Sequence, residues 1–319
     1  MDNVNKSFSD EDVQPASGNL PATDSEPVLA PEAETASDTT TAKHTTVTAQ
    51  LPGVKRGGKF PSWVDLFAVV GIFVLSSLVG LLVATVVMKV RGGESLTPDL
   101  TLLYYLIQML PPIAYVWWSR HKVGRDCGLH FGIRRMTLPM LLWGVVLLLA
   151  SSVVLEPLLL LFPKEEYQNV TEMVGMGGWA ILSVVVCAPL LEEILFRGMI
   201  FESCRERFGK GWAVLISAAL FGLIHGVPVQ VINAFVVGLI FGYLYLRTRS
   251  LLLVVLLHMI NNGIAYVALV FFGDAADTTL LDLVGSSWLY WIIYGVSAVV
   301  LVYAMLRLRA TLREETELE

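Results

Sequence analysis

Charge is scarce in this chain. Only 16 % of its 319 residues are Asp, Glu, Lys or Arg, where a soluble domain averages about 25 %. With 55 % hydrophobic residues and a mean hydropathy of +0.65, that shortage excludes an ordinary soluble domain. No basic stripe appears and the net charge is −6, which excludes a nucleic-acid binder. Cysteine is equally sparse. Cys127, Cys187 and Cys204 stand far apart, so neither a disulfide framework nor a CxxC metal knuckle is present, and all three read as small apolar packers. HExxH is absent too.

What charge there is lies unevenly. Residues 1–54 hold nine acids against two bases and almost no large apolar side chains. Such a segment cannot bury enough surface to offset its ordering entropy, so residues 1–59 are expected to form a disordered, acidic cytoplasmic tail. It has neither the basic n-region nor the apolar h-region of a cleavable signal peptide.

Residues 60–319 read as a membrane domain. Runs of about 20 apolar residues, enough to cross a hydrocarbon core of about 30 Å, recur near 63–88, 98–118, 137–162, 179–203, 212–228, 229–246, 251–272 and 288–306. Alternate connections carry the Lys and Arg: Lys55, Arg56 and Lys59; Arg120 to Arg135; Arg205 to Lys210; Arg247 and Arg249; Arg307 to Arg313. That bias predicts eight crossings with both termini cytoplasmic, in an all-α, multi-pass bundle of the inner or plasma membrane.

Ionisable groups inside such spans are costly and so point to function. Most spans are clean in their middle. The fourth carries Glu192, Glu193 and Arg197, the fifth His225, and the seventh His258 with Asn262. At about 1.5 Å per residue, these groups fall in one middle slab. Glu193 and Arg197 are four apart, the spacing of a helical ion pair, while Glu192 points about 100° away and stays chemically available. His258 and Asn262 share a face, and Phe221 lies one turn before His225. Pro189 deletes a backbone donor above the acids. The pairs Gly222/Gly226 and Gly238/Gly242 permit close helix approach.

A mid-depth carboxylate with an imidazole suits water activation, because withdrawal from water strengthens a carboxylate base. A second imidazole and an amide supply oxyanion donors. Two His and one carboxylate equally suit a catalytic zinc, the ligand set then being Glu192, His225 and His258. The bland readings are a structural ion pair, a packed histidine, and an interhelical clamp or proton relay. Glu156, Gln108 and Asn233 read as structural.

EEILFR (Glu192 to Arg197), FGLIH (Phe221 to His225) and HMINN (His258 to Asn262) resemble, in order, the three motifs of the CPBP family, the CaaX protease and bacteriocin-processing group also called Abi. The resemblance covers about 179–265. It implies an intramembrane endopeptidase, commonly described as a metalloprotease, with Glu192 and His225 activating water and His258 and Asn262 stabilising the oxyanion. Glu193, Arg197 and Phe221 would orient the site. The substrate implied is a membrane-associated peptide or protein, CaaX-like or a leader peptide, met in the lipid bilayer. The competing expectation is a non-catalytic immunity, chaperone or transport protein built on the same polar cavity.

Overall fold

The computed structural model describes residues 60–163, 175–272 and 279–318; the acidic tail expected over 1–59 lies outside them. Among the described residues all regular structure is helical. The helices are α1 (Trp63–Val90), α2 (Pro98–Lys122), α3 (Leu138–Leu159), α4 (Gly178–Phe208), α5 (Lys210–Leu223), α6 (Pro228–Thr248), α7 (Leu251–Phe272), the short α8 (Leu280–Val284) and α9 (Ser287–Leu318). Start signals are local. Ser62 and Asp65 form a reciprocal capping box on α1, and Pro98 and Pro228 open α2 and α6 at the first turn.

Seven of these helices are long and apolar enough to cross a bilayer, which makes the protein a multi-pass helical membrane protein. The fifth expected crossing, 212–228, is corrected by the structure. Helix α5 has 14 residues, about 21 Å of rise, and stops at Leu223 because Gly226 turns the chain at φ +71° and Pro228 starts the next helix. Helices α5 and α6 therefore form a hairpin of unequal arms.

Helix α1 packs along α2, α3 along α9, and α5 along α6, while α4 meets α2, α5 and α7. Large buried side chains cluster around the second half of α4: Phe196, Arg197, Phe201, Phe221, Phe241 and Tyr245. The flanks of α1 and α9 leave Phe67, Leu78, Leu82, Trp291, Val299 and Val302 exposed, as lipid-facing surface should be. Glycine spacing works at three of the four expected positions. A Cβ on Gly222 would stand 2.8 Å from the Val231 carbonyl, one on Gly238 3.1 Å from Cα of Ala218, and one on Gly242 3.2 Å from Val214. Gly226 serves the turn instead.

Ionic contacts sort the loops into two ends. Arg120 donates to Ser203 Oγ at 2.8 Å, Arg125 meets Glu206 at 2.9 Å, Arg249 pairs with Glu202, and the Leu251 amide donates to the His130 carbonyl at 3.0 Å. The connections after α2, α4 and α6 thus share the Lys/Arg-rich end. At the other end the Gly177 amide donates to Tyr266 at 2.9 Å and the Leu280 amide to Glu156 at 2.6 Å, which gives Glu156 the structural role expected of it.

Candidate active site

Helix α4 is not a uniform α-helix. Two π-helical stretches, Ile181–Cys187 and Ile194–Phe201, flank the α-turns Ala188–Glu193 that carry the acids. In the first stretch the Ala188 amide reaches back five residues to the Ser183 carbonyl. The same register would pair residue 189 with Val184, but proline has no N–H to give. Asn262 of α7 takes its place, its Nδ2 donating to the Val184 carbonyl at 3.0 Å. Such π-bulges recur at functional sites.

Glu193 and Arg197 pair at 2.8 Å, as the four-residue spacing predicted, and both are 0 % exposed. Arg197 also donates to the Gly238 carbonyl at 3.1 Å and lies over the Phe221 ring at 4.5 Å, so it knits α4 to both arms of the α5–α6 hairpin. The pair has a third member. His258 brings Nδ1 to 2.9 Å from the same Oε1 of Glu193, and because a carboxylate only accepts, Nδ1 carries the hydrogen. His258 Nε2 then faces Oε2 of Glu192 at 3.7 Å. One imidazole stands between two carboxylates that point in different directions from adjacent positions.

Glu192 is 6 % exposed and His258 4 %. The other oxygen of Glu192, Oε1, accepts from the Tyr105 hydroxyl at 2.5 Å. Sequence reasoning missed Tyr105: nothing in its own helix shows that its hydroxyl meets a carboxylate 87 positions away. His225 lies in the turn after α5, its Nδ1 donating to the Phe221 carbonyl at 2.8 Å. Phe221 links the two histidines, its ring centroid lying 5.0 Å from that of His225 and 5.6 Å from that of His258. Glu192, Glu193, Arg197, Phe221, His225 and His258 thus fall within one connected cluster, while Asn262, one turn further along α7, bonds to Val184.

The metal ligand set does not gather. Among the described residues no three His, Cys, Asp or Glu side chains are placed to hold one ion, so Glu192, His225 and His258 as they stand do not fit a resident metal.

Residues 175–264 match the family model described as "Type II CAAX prenyl endopeptidase Rce1-like". The resemblance stated from the three motifs therefore holds over the segment that carries them. The chain is also 29 % identical over 99 residues to the "Putative membrane peptidase YdiL" of Bacillus subtilis (strain 168), a match that covers 31 % of this chain and 41 % of that protein. It is 38 % identical over 84 residues to an "Uncharacterized 24.3 kDa protein" of Escherichia coli, covering 25 % of this chain and 39 % of the relative. The chain thus spans about two fifths of the length of each of these curated relatives. No solved structure matches it.

Proposed function

We propose that the chain is an intramembrane endopeptidase that hydrolyses a peptide bond of a membrane-associated substrate, CaaX-like or a leader peptide, by carboxylate-activated water. The observation that carries this reading is the setting of Glu192. It is a buried carboxylate with one oxygen held by a phenol and the other 3.7 Å from an imidazole nitrogen. A water oxygen can meet both of those facing atoms at about 2.8 Å.

In this reading Glu192 takes a proton from the water as the oxygen attacks the scissile carbonyl carbon, and returns it to the leaving amine. The motif resemblance gives His225, held through Nδ1, a share in activating the water. His258, its ring fixed by the Nδ1–H bond to Glu193, stands beside the oxyanion and stabilises it. Asn262 offers its second amide hydrogen, the first being engaged with Val184. Glu193 and Arg197 fix the ring and the hairpin that bring these groups together. The family match over 175–264 supports proteolysis as the reaction class. The Lys/Arg-rich end faces the cytoplasm by the positive-inside rule. With α5 and α6 counted as one hairpin, both termini are then cytoplasmic.

Comparative peptidomics of membranes from cells carrying the wild type or Glu192→Ala tests the proposal. Membrane peptides cut only in the wild-type sample are expected. Identical peptide sets, with both proteins present at equal abundance, would overturn it in favour of a non-catalytic role.

A further inference from the structure

We infer that Tyr105 is a positioning residue for the general base, an inference that rests on the protease reading above. It sits on α2, outside the segment that matches the family model. Its hydroxyl donates to Oε1 of Glu192 at 2.5 Å, bridging 87 positions of sequence. A carboxylate with two equivalent oxygens turns freely about its last bond; a donor on one oxygen removes that freedom and leaves Oε2, the oxygen facing His258, to take the proton. A hydrogen bond to a charged group is also among the stronger ones.

Helix α2 is built to hold that phenol still. Pro112 lies inside it and deletes the N–H that would have met the Gln108 carbonyl. Ser76 of α1 faces that carbonyl at 2.8 Å instead. The Gln108 side chain, one turn from Tyr105, donates to Ser77 Oγ at 2.7 Å and to the Tyr104 hydroxyl at 3.0 Å. Helix α2 is thereby pinned to α1 beside the residue that reaches the site. Among the described residues Glu192 is the polar partner that explains the Tyr105 hydroxyl, and the ring would pack as well without one.

Two measurements test this on the full-length protein in detergent micelles. In the first, wild type and Tyr105→Phe cleave a fluorescence-quenched peptide ending in a farnesylated CaaX sequence. The expected result is a kcat lower by about 10- to 100-fold, with KM within about twofold and an unchanged melting temperature, since the ring is retained. In the second, the Glu192 carboxylate stretch is isolated as the infrared difference between each protein and its Glu192→Gln counterpart. The band is expected to move when Tyr105 becomes Phe. Equal kcat, or a band at the same frequency in both backgrounds, would overturn the inference while leaving the protease reading intact. A wild type that cuts neither this peptide nor any membrane peptide in the peptidomics sinks the protease reading, and the positioning role with it. The infrared pair then reports separately whether the phenol–carboxylate bond exists.

Discussion

His258 and Glu193, 65 positions apart in sequence, meet at 2.9 Å through Nδ1 and Oε1, on the oxygen that Arg197 also reaches at 2.8 Å. Glu193 is therefore both the counter-ion of a buried guanidinium and the group that selects which nitrogen of His258 carries hydrogen. The two adjacent glutamates divide their contacts: Glu192 holds Tyr105 and faces His258, while Glu193 holds Arg197 and His258.

That division predicts different failures. Glu192→Gln is expected to melt like the wild type and to cleave nothing. Glu193→Gln leaves Arg197 charged, buried and uncompensated, which costs about 3–5 kcal/mol, and frees the His258 ring to turn. Thermal melting and cleavage measured side by side check this. A Glu193→Gln protein with wild-type melting would remove the scaffold role.

Pro189, Val184 and Asn262 form a second testable unit. Replacing Asn262 by Leu leaves a part-buried carbonyl without its donor, at a cost of about 1 kcal/mol. Pro189→Ala restores an N–H that can meet the same carbonyl. In that background the Asn262→Leu penalty is expected to shrink by about half or more, a coupling a double-mutant cycle on melting temperature reads directly. Equal penalties in both backgrounds would mean that the amide does not replace the missing donor.

The hairpin glycines have separable roles. Gly226→Ala meets no atom within 4 Å but must hold φ +71°, a strain of about 1–2 kcal/mol. Gly222→Ala pushes a methyl against the Val231 carbonyl and separates α5 from α6. That displaces Phe221 from Arg197, so activity is expected to fall with stability. Stability loss alone in both variants would show that the site tolerates a looser hairpin.

Orientation is open to labelling. In a background with Cys127, Cys187 and Cys204 replaced, single cysteines at Glu94 and Lys210 are expected to react with an impermeant maleimide from opposite sides of the membrane, Lys210 from the cytoplasm. Reaction from the same side would contradict the order of crossings from α2 to α4.

Cleavage is expected to survive exhaustive chelation, with no stoichiometric metal in the purified protein, because the three nominated donors do not converge. One zinc per chain, removed with activity by a chelator and restored with it, would show that they do so in the working enzyme.

Much of this was legible before any coordinates. Hydrophobic runs give helix bounds because a bilayer permits few alternatives to a spanning helix, so α1, α4 and α7 begin within a residue of where the runs begin. Glu193–Arg197 was legible because four-residue spacing is a property of one helix. Contacts between helices were not. Tyr105 on Glu192, His258 on Glu193 and Asn262 on Val184 depend on rotations that spacing within one helix does not encode. The length of α5 was misjudged because hydropathy ran on through Gly226 and Pro228, where backbone geometry stops the helix. Pro189 was legible as a missing backbone donor, but the group that replaces it, Asn262 on another helix, was not.

The unequal hairpin has a consequence for the surrounding lipid. Helix α5 rises about 21 Å where its neighbours span about 30 Å or more, and it presents Trp212, Leu215 and Leu223 on its exposed side. Acyl chains beside it must compress, or α6 must lean, and either response carries a cost that grows with each ångström of mismatch. Among the helices that surround the candidate site α5 is thus the shortest, and the position of the turn that holds His225 depends on the polypeptide and on the thickness of the membrane around it. Acyl-chain length becomes a variable of the site, acting through the turn that carries an imidazole.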